Sequence, residues 1–507
     1  MSTLLCQTVT GRTMAELIAA RDAADGGDVG GDMVELRLDY VDRPDVAGAL
    51  AGRRKPVIVT VRAAWEGGQF SGSEEERKQL LRQALEQGAE YVDVEWRAGF
   101  TDLIRDFPSR VLVSSHHFTG VPTDLVDQAR AMRQTGAGLI KVAVMVTRLV
   151  ETLPLIDIAR GGDAVVLGMG DAGVPSRLLA ARFGSRWTYG GNAVAPGQIS
   201  ADRMTQEYRF KEIGPDTAIY GVVGSNAIHS FSPAMHNAAF GAAGIDAVYV
   251  PFRPATFKDF LAFASVLDVR GASVTIPYKV DALWWPSVTA DARTLAIGAA
   301  NTLRRQRGPA QAGPHEEGPA QAGPHEEGWE ATNTDVEGFL APLELAYEGP
   351  LRNARASVLG AGGAARAVVA ALVDRGAQVT VHARRPEQAR EVADTFAARV
   401  GNVTPAPGSW DVLVNCTPLG GAAAREESPL PVGPFDGRLV YDLTYGPAES
   451  RLVRDARAAG CATLDGLPML VAQAERQFAW WTGQQAPEGV MRAAVMRSVG
   501  PERPAGI

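Results

Sequence analysis

The 507-residue chain has little cysteine and carries no excess of positive charge. Its three cysteines, Cys6, Cys416 and Cys461, are scattered, so they form neither a disulfide framework nor a zinc site. A formal net charge of −8 without a local basic stripe argues against nucleic-acid binding. No apolar run approaches the roughly 20 residues that span a bilayer, and the N-terminus lacks the pattern of a signal peptide. We therefore expect a cytoplasmic protein without metal, membrane or nucleic-acid partners.

The overall composition, with 46% hydrophobic and 21% charged residues, is typical of a soluble globular protein. A chain of 507 residues is too long for one hydrophobic core, so about three domains are expected. The sequence does not determine an oligomeric state and is compatible with an oligomer.

Residues 1–212 alternate short β-like runs with helical patterns. Strands that alternate with helices imply a parallel sheet, and eight such units predict a closed (β/α)8 barrel. Helix-like segments lie between the strands, for example those that Ser73 and Thr123 open as capping residues. The eight β-like runs begin at Thr3, Met33, Pro56, Tyr91, Arg110, Leu139, Ala164 and Arg186.

A tandem repeat interrupts the second half of the chain. The decapeptide GPAQAGPHEE occurs at residues 308–317 and again at 318–327. A repeat so rich in glycine and proline cannot bury a core, so we expect a disordered surface loop. Its histidines, His315 and His325, are candidate metal ligands, but an in-frame duplication without function is the favoured interpretation.

Lys141 lies in the middle of an apolar strand, GLIKVAVMV. Burying an ammonium group is costly unless the group is paired or loses its proton. One interpretation is that Lys141 reaches solvent from a strand edge. Strand alternation instead points it into the barrel, where burial and the nearby Arg37 and Arg62 would favour an uncharged, nucleophilic amine.

The same alternation places polar side chains inside the barrel, concentrated at the carboxyl ends of the strands. Polar side chains inside a barrel do not stabilise its core. A binding or catalytic site at the carboxyl ends of the strands, however, requires them. His116 shares this inward face and could shuttle protons for an amine nucleophile, the alternative being a structural histidine. The other inward polar residues are Glu35, Arg37, Asp39, Thr60, Arg62, Asp93, Glu95 and Ser114.

Six motifs in order, ELRLD, TVRAAWEGG, SSHHF, IKVAV, MGDAGVPSR and APGQIS, resemble type I 3-dehydroquinate dehydratase. The resemblance covers residues 1–210 and implies that Lys141 forms an imine with the substrate ketone. It further implies that His116 acts as general base and then acid, and that Glu66 orients it. The implied substrate-binding residues are Glu35, Arg37, Arg62, Arg177 and Gln198.

A glycine-rich loop, in ASVLGAGGAARAVVAAL, separates a strand from a helix in the second half. Small residues there allow a pyrophosphate to approach the helix N-terminus, although such a pattern alone is weak. The next strand ends in Arg384 and Arg385, where NAD-binding sites usually have an acidic residue. Two guanidinium groups favour NADP over NAD, the alternative being two solvated surface arginines.

The motifs HSFSP, VTIPYK, AANTL, NTD, GAGGAARA, NCTPLG, YDLTYGP and DGLPMLVAQAERQFAWWTG resemble shikimate dehydrogenase. The resemblance implies that Lys279 and Asp335 form a proton-transfer pair and that NADP(H) is the cofactor. The implied substrate-binding residues are Ser230, Ser232, Thr275, Asn301, Tyr445 and Gln473. The implied cofactor-binding residues are Gly360, Ala361, Gly362, Gly363, Ala364, Arg384, Arg385 and Thr417.

Together the two resemblances imply a bifunctional shikimate-pathway enzyme of aromatic amino acid biosynthesis. It would dehydrate 3-dehydroquinate to 3-dehydroshikimate and reduce that product to shikimate with NADPH. One alternative is a quinate-using dehydrogenase in the second half. Another is a non-catalytic, ligand-sensing regulator; such a protein should lack one of the catalytic residues, but all are present: Lys141, His116, Lys279 and Asp335. The expected α/β architecture is a TIM barrel (1–212), a substrate domain (217–335, interrupted by 306–328 and completed by helices at about 467–495) and a Rossmann NADP domain (336–466).

Overall fold

The computed structural model describes residues 3–26, 30–191, 196–306, 328–421, 424–446 and 448–499. The tandem decapeptide with His315 and His325 lies outside the described residues. The chain forms two compact units. The first comprises Met1–Gly221, Asn226–His229 and Asp246–Val269, and the second comprises Val222–Ser225, Ser230–Ile245 and Arg270–Ile507. None of the helices among the described residues is long and apolar enough to cross a membrane.

Eight parallel strands in the described part of the first unit form a barrel, as the sequence predicts. They pair in the order β7-β6-β5-β4-β3-β2-β1-β8, and the end strands β7 and β8 also contact each other. The strands are β1 (Leu4–Val9), β2 (Met33–Arg37), β3 (Val57–Thr60), β4 (Tyr91–Glu95), β5 (Val111–His117), β6 (Leu139–Met145), β7 (Ala164–Met169) and β8 (Trp187–Gly190).

Three of the barrel helices among the described residues begin at a side-chain cap, which Thr13, Ser73 and Ser200 provide. Ser73 caps α3 through a capping box with Glu76, as predicted. The prediction that Thr123 caps α5 is wrong, because Leu125 N–H bonds to the carbonyl of Pro122 in a preceding turn, and Asp124 becomes the N-cap. The helices are α1 (Met14–Asp25), α2 (Val46–Leu50), α3 (Glu74–Glu86), α4 (Thr101–Asp106), α5 (Leu125–Arg133), α6 (Pro154–Ala159), α7 (Val174–Leu178), α8 (Ala180–Phe183) and α9 (Ala201–Gln206).

The barrel interior is a packed apolar core below a polar mouth. Leu139 and Ala143, the strand neighbours of Lys141 on its own face, belong to this interior cluster. The predicted inward direction of Lys141 is thereby confirmed, and its side chain is buried. The apolar cluster that fills the barrel interior includes Cys6, Met33, Ile58, Leu112, Leu139, Val165 and Trp187.

The chain continues with short strands and helices that the two units share. Within the second unit, β13 pairs antiparallel with both β11 and β14, and β14 pairs parallel with β12. These elements are β9 (Ala218–Val223), α10 (Ser232–Ala242), β10 (Ala247–Phe252), α11 (Phe257–Leu267), β11 (Val269–Val274), α12 (Lys279–Leu283), β12 (Val288–Ala290), α13 (Ala292–Ile297), β13 (Thr302–Arg305), β14 (Trp329–Thr332) and α14 (Asp335–Ala346).

The rest of the second unit contains a doubly wound sheet, as the glycine-rich loop predicts. Six parallel strands of the described residues pair in the order β17-β16-β15-β18-β19-β20, the Rossmann order. The strand order reverses between β15 and β18, where such folds bind their ligands. The elements are β15 (Arg355–Leu359), α15 (Gly363–Asp374), β16 (Gln378–His382), α16 (Pro386–Phe396), β17 (Arg399–Val400), β18 (Val412–Asn415), β19 (Leu439–Asp442), α17 (Arg451–Ala458), β20 (Ala462–Leu464), α18 (Leu467–Thr482) and α19 (Val490–Val499).

Candidate active sites

A cavity of about 100 Å³ opens at the carboxyl ends of the barrel strands. Its lining includes all eight residues that the sequence assigns to the first site. They come from six different strands or the segments that follow them, so only the closed barrel brings them together. The eight are Glu35, Arg37, Arg62, Glu66, His116, Lys141, Arg177 and Gln198.

The Lys141 amine lies between two carboxylates and an aromatic ring. Its Nζ is 3.0 Å from Asp93 Oδ2, 3.7 Å from Glu35 Oε1 and 4.3 Å from the ring centre of Tyr189. Burial raises the pKa of Asp93, but Arg62 and then Lys141 outweigh it and hold this pKa far below its usual range. The amine is therefore placed where a positive charge is stabilised, and the prediction that it is uncharged stays a prediction.

His116 and Glu66 form a buried acid–base pair beside the amine. Glu66 Oε1 lies 2.8 Å from His116 Nδ1 and also accepts the backbone N–H of His116 at 3.0 Å. Burial, followed by the charges of Arg62 and Lys141, lowers the pKa of His116 well below its usual value. Burial has the opposite effect on the carboxyl group of Glu66 and raises its pKa to about 7. The imidazole is thus neutral at neutral pH, with Nδ1 oriented by Glu66.

The three arginines of the cavity differ in what neutralises them. Arg37 forms a two-point ion pair with Asp39, at 2.9 and 2.8 Å. Arg62 is paired with Asp93 at 2.8 Å and with Glu95 at 2.9 Å. Their charges are therefore already balanced by carboxylates.

Arg177 is the exception. It is 2% exposed, donates only a long 3.5 Å bond to the Tyr189 carbonyl, and leaves its buried Nε without a partner among the described residues. Burial lowers the pKa of this guanidinium to about 10. A buried cation without a carboxylate is the arrangement that an anionic ligand would complete.

The second predicted site is centred on Lys279 and Asp335. Lys279 Nζ lies 2.6 Å from Asp335 Oδ2, and Asn301 Nδ2 donates to Asp335 Oδ1 at 2.8 Å. Gln473 on α18 accepts from the same Asn301 amide at 2.9 Å, because α18 packs against α14. Four predicted residues that are spread over nearly two hundred positions thus form one hydrogen-bonded cluster.

The remaining predicted substrate residues lie in segments of the same unit. Ser230 Oγ accepts the N–H of Ser232, which begins α10. Thr275 follows β11, and the ring of Tyr445 lies 5.9 Å from that of Phe231, between the two serines. The contribution of these four residues to substrate binding stays a prediction.

The glycine-rich loop has the shape that a dinucleotide requires. Gly360 has φ of 110°, and a Cβ there would lie 3.4 Å from Thr417 Cγ2, so the loop and Thr417 meet at the switch between β15 and β18. A Cβ on Gly362, the N-cap of α15, would meet no atom within 4 Å, which leaves room for a ligand. Ala361 and Ala364 keep the same turn small.

Arg384 and Arg385 lie between β16 and α16. Both are exposed, and neither side chain has a partner among the described residues. The small turn, the open helix N-terminus and the two unpaired cations fit a dinucleotide that carries an extra phosphate.

Sequence reasoning missed several residues of the first cavity. Asp93 appeared among the inward residues but was not assigned to the site, although it is the nearest carboxylate to Lys141. Thr8 and Thr60 hold Glu35 through hydroxyl bonds of 2.9 Å each. Tyr189 was overlooked, although alternation along β8 could have placed it inside.

Comparisons with known proteins found family models that match both halves of the chain. The family model for type I 3-dehydroquinase matches residues 5–215. The models for the shikimate dehydrogenase substrate binding domain and the shikimate 5′-dehydrogenase C-terminal domain match residues 222–303 and 466–496.

Relatives extend this similarity over most of the chain. The chloroplastic bifunctional 3-dehydroquinate dehydratase/shikimate dehydrogenase of Arabidopsis thaliana is 31% identical over 520 residues, covering 96% of this chain and 83% of the relative. The shikimate dehydrogenase (NADP(+)) of Anaeromyxobacter dehalogenans is 39% identical over 291 residues, 55% of this chain and 96% of the relative. Among solved structures, shikimate dehydrogenase from Aquifex aeolicus has 31% identity and a TM-score of 0.48, covering 56% of this chain and 99% of that chain.

The matched family models and the bifunctional relative define a fused lyase and oxidoreductase. The chain belongs to the family of bifunctional 3-dehydroquinate dehydratase/shikimate dehydrogenases.

Proposed function

We propose that this chain dehydrates 3-dehydroquinate at Lys141 and reduces the resulting 3-dehydroshikimate to shikimate with NADPH at the Lys279–Asp335 site. The observation that carries the first step is the single cavity in which all eight assigned residues surround a buried amine. The predicted ranges are kept: a barrel at 1–212, a substrate domain at 217–335 completed by helices at about 467–495, and a Rossmann domain at 336–466.

The first step is covalent capture of the substrate ketone. The Lys141 nitrogen attacks the carbonyl carbon, the carbonyl oxygen leaves as water, and a protonated imine remains. This iminium group carries its positive charge where the ammonium group now lies, 3.0 Å from Asp93 and 3.7 Å from Glu35. Both carboxylates therefore stabilise the iminium, which withdraws electrons from the neighbouring carbon.

The elimination is assigned to His116. Because burial lowers the pKa of His116, the ring is neutral and can take a proton from the carbon next to the iminium. Glu66 holds Nδ1, so Nε2 is the nitrogen that acts as base. The same proton then returns to the departing hydroxyl group, which leaves as water. Hydrolysis of the imine releases 3-dehydroshikimate and regenerates Lys141.

The unpaired Arg177 guanidinium is assigned to the substrate carboxylate. Arg37 and Arg62 already have carboxylate partners, so their added charge at the cavity is small. They instead fix the carboxylates of the mouth and can donate to hydroxyl groups of the substrate.

Reduction at the second site requires a hydride and a proton. NADPH, when bound at the glycine-rich loop with its 2′-phosphate near Arg384 and Arg385, supplies the hydride. The Lys279–Asp335 pair delivers the proton to the carbonyl oxygen that becomes a hydroxyl group. Asn301 fixes the Asp335 carboxylate at 2.8 Å and donates to Gln473 Oε1 at 2.9 Å, which holds the Gln473 amide group where it can meet a substrate hydroxyl.

Product analysis with matched variants tests both assignments. Full-length protein given 3-dehydroquinate alone should form 3-dehydroshikimate, and with NADPH it should form shikimate. Lys141→Ala should abolish dehydration yet reduce added 3-dehydroshikimate, whereas Lys279→Ala should show the opposite pattern. Borohydride added during turnover should attach substrate mass to the Lys141 peptide. An active preparation whose Lys141 peptide stays unmodified would refute the imine, and loss of both activities in Lys141→Ala would refute separate sites.

A further inference from the structure

A second cavity, of about 490 Å³, opens at the amino ends of the barrel strands. Its lining residues begin or directly precede β1, β2, β3, β4, β5 and β8, so it lies on the face opposite to Lys141. In (β/α)8 barrels the amino-terminal face usually serves stability and not binding, so a cavity within the usual size range of ligand sites is unexpected there.

This cavity is separate from the catalytic mouth. Cys6, Ile58, Leu112 and Val165 are each 0% exposed and fill the barrel interior between the two ends. A molecule at the amino-terminal face therefore has no direct path to Lys141. The site described above does not use any residue that lines this cavity.

The floor of the cavity is aromatic. The rings of Tyr91 and Trp187 lie with their centres 5.3 Å apart and their planes inclined at 43°. Trp187 and Met33 are only 1% and 2% exposed, so the accessible apolar surface comes from Tyr91, Pro56 and Leu4, the last of which is 45% exposed. Such a floor favours a flat, apolar or aromatic ring.

The two carboxylates at the cavity already have partners. Asp32 accepts the Leu5 N–H at 2.9 Å and lies 3.2 Å from Lys211 Nζ. Glu90 accepts the Val57 N–H at 2.8 Å and lies 3.4 Å from Arg53. Neither carboxylate is left to attract a cation.

Neither of the two arginines at the cavity has a carboxylate partner in the part of the chain that the structure describes. Arg110 donates to the carbonyl oxygens of Leu85 and Ala89, at 2.7 and 3.1 Å, and these oxygens carry no formal charge. Arg186 is exposed, and its guanidinium has no partner among the described residues. Two uncompensated guanidinium groups therefore border the aromatic floor, and a carboxylate is the planar anion that a guanidinium fork binds best.

We infer that the amino-terminal mouth of the barrel is a second binding site, for a small carboxylate that carries a flat aromatic or apolar ring. The ring lies on Tyr91, which Trp187 supports from below, beside Pro56 and Leu4, and the carboxylate pairs with Arg186 and Arg110. This site goes beyond the proposed reactions and does not depend on them, because its residues are absent from both catalytic clusters.

Calorimetric titration of the full-length protein with naphthalene-2-carboxylate tests the inference. Saturable binding is expected, with the neutral naphthalene-2-carboxamide and acetate each binding at least about tenfold more weakly because one lacks the charge and the other the ring. Equal binding of the carboxamide or of acetate would overturn the proposed ligand class. Absence of heat up to about 10 mM probe would overturn the site itself.

Three variants locate the binding. Arg186→Gln should weaken binding of the probe at least about tenfold, and it should fold normally because the side chain is exposed and unpaired. Arg43→Gln, at another exposed arginine of the barrel without a partner in the described residues, is the matched control and should bind as the unchanged protein does. Arg177→Gln should also leave the affinity unchanged, since it alters the opposite mouth. An Arg186→Gln protein of normal affinity, or a loss of affinity in Arg177→Gln, would refute the assignment.

Discussion

Gly363 approaches Lys279 so closely that a Cβ at residue 363 would lie 3.0 Å from the Lys279 Cβ. The first residue of α15, in the predicted dinucleotide loop, thus touches the stem of the predicted proton-donating lysine. Such a contact is tighter than ordinary packing, so a methyl group would have to displace the lysine by a few tenths of an ångström. Glycine at this position therefore sets where the Lys279 ammonium lies.

The change Gly363→Ala should lower the turnover number for shikimate oxidation by NADP about three- to tenfold, because small displacements of catalytic groups are costly. Dehydration of 3-dehydroquinate by the same protein should be unchanged. Gly362→Ala is the matched comparison, since its Cβ would meet no protein atom within 4 Å. That variant should raise the Michaelis constant for NADP and leave turnover nearly unaltered. Equal turnover losses in both variants would contradict a specific contact with Lys279.

The decrease of the dehydration rate at low pH should reflect protonation of Glu66. Burial raises the pKa of this carboxyl group to about 7. Below that pH the carboxyl group is protonated and no longer supports His116 as base, so kcat/KM should fall as pH decreases through about 7. The pKa of His116 itself lies well below its usual value, so its own protonation occurs at lower pH and does not mask this decrease.

In Glu66→Gln this decrease near pH 7 should disappear, with a plateau roughly 10²-fold lower, because the amide neither titrates nor assists the base. Stopped-flow measurement of 3-dehydroshikimate formation between pH 5 and 9 checks both features. Reduction of 3-dehydroshikimate in the same preparation is the internal control and should keep its profile. Persistence of the decrease at the same pH would assign it to another group.

Function and stability should conflict at Arg177, whose buried guanidinium lacks a carboxylate partner. Arg177→Met replaces this uncompensated charge with an apolar chain of similar length. Folding stability of the barrel should rise by roughly 2 kcal/mol, as when other poorly compensated buried charges are removed. The Michaelis constant for 3-dehydroquinate should rise at least about tenfold, because the substrate carboxylate loses its cation.

Differential scanning calorimetry and initial rates measure these two effects on one preparation. A gain of about 2 kcal/mol corresponds to a few degrees in the midpoint of a domain of this size. Arg43→Gln, which removes an exposed arginine from the same barrel, should alter neither quantity. A lower unfolding midpoint in Arg177→Met would show that the guanidinium stabilises the unliganded barrel.

Strand alternation and family resemblance together predicted eight side chains of the first cavity, but they missed Thr8 and Tyr189 and did not predict how the side chains pair. Alternation along β6 correctly turned Lys141 inward, since a two-residue period needs no knowledge of the partner strands. Whether Arg62 would face the amine or a carboxylate depends on the stagger of neighbouring strands, which local patterns do not encode. Asp93 therefore went unassigned, although it pairs with both Arg62 and Lys141.

At the second site, too, the residues could be predicted but their contacts could not. The motifs identified Asn301 and Gln473 only through family resemblance, because their contact joins β13 with a helix that follows the whole Rossmann sheet. Tyr189 escaped notice because an aromatic residue in a barrel strand usually belongs to the core, and only the 4.3 Å contact with Lys141 distinguishes it. The mistaken Thr123 cap has a local cause, since Thr and Asp are both good caps and adjacent in sequence.

Cofactor choice should depend on Arg384 and Arg385, which follow β16, are exposed and have no side-chain partner among the described residues. Changing both to glutamine should raise the Michaelis constant for NADPH about 10- to 100-fold, because each guanidinium can form charge-assisted bonds with the 2′-phosphate. The constant for NADH, which lacks that phosphate, should stay within about twofold. Arg390→Gln removes another exposed, unpaired arginine, from α16, and should change neither constant. If the Michaelis constants for NADPH and NADH rose equally in the double variant, the arginines would stabilise the loop and would not bind the 2′-phosphate.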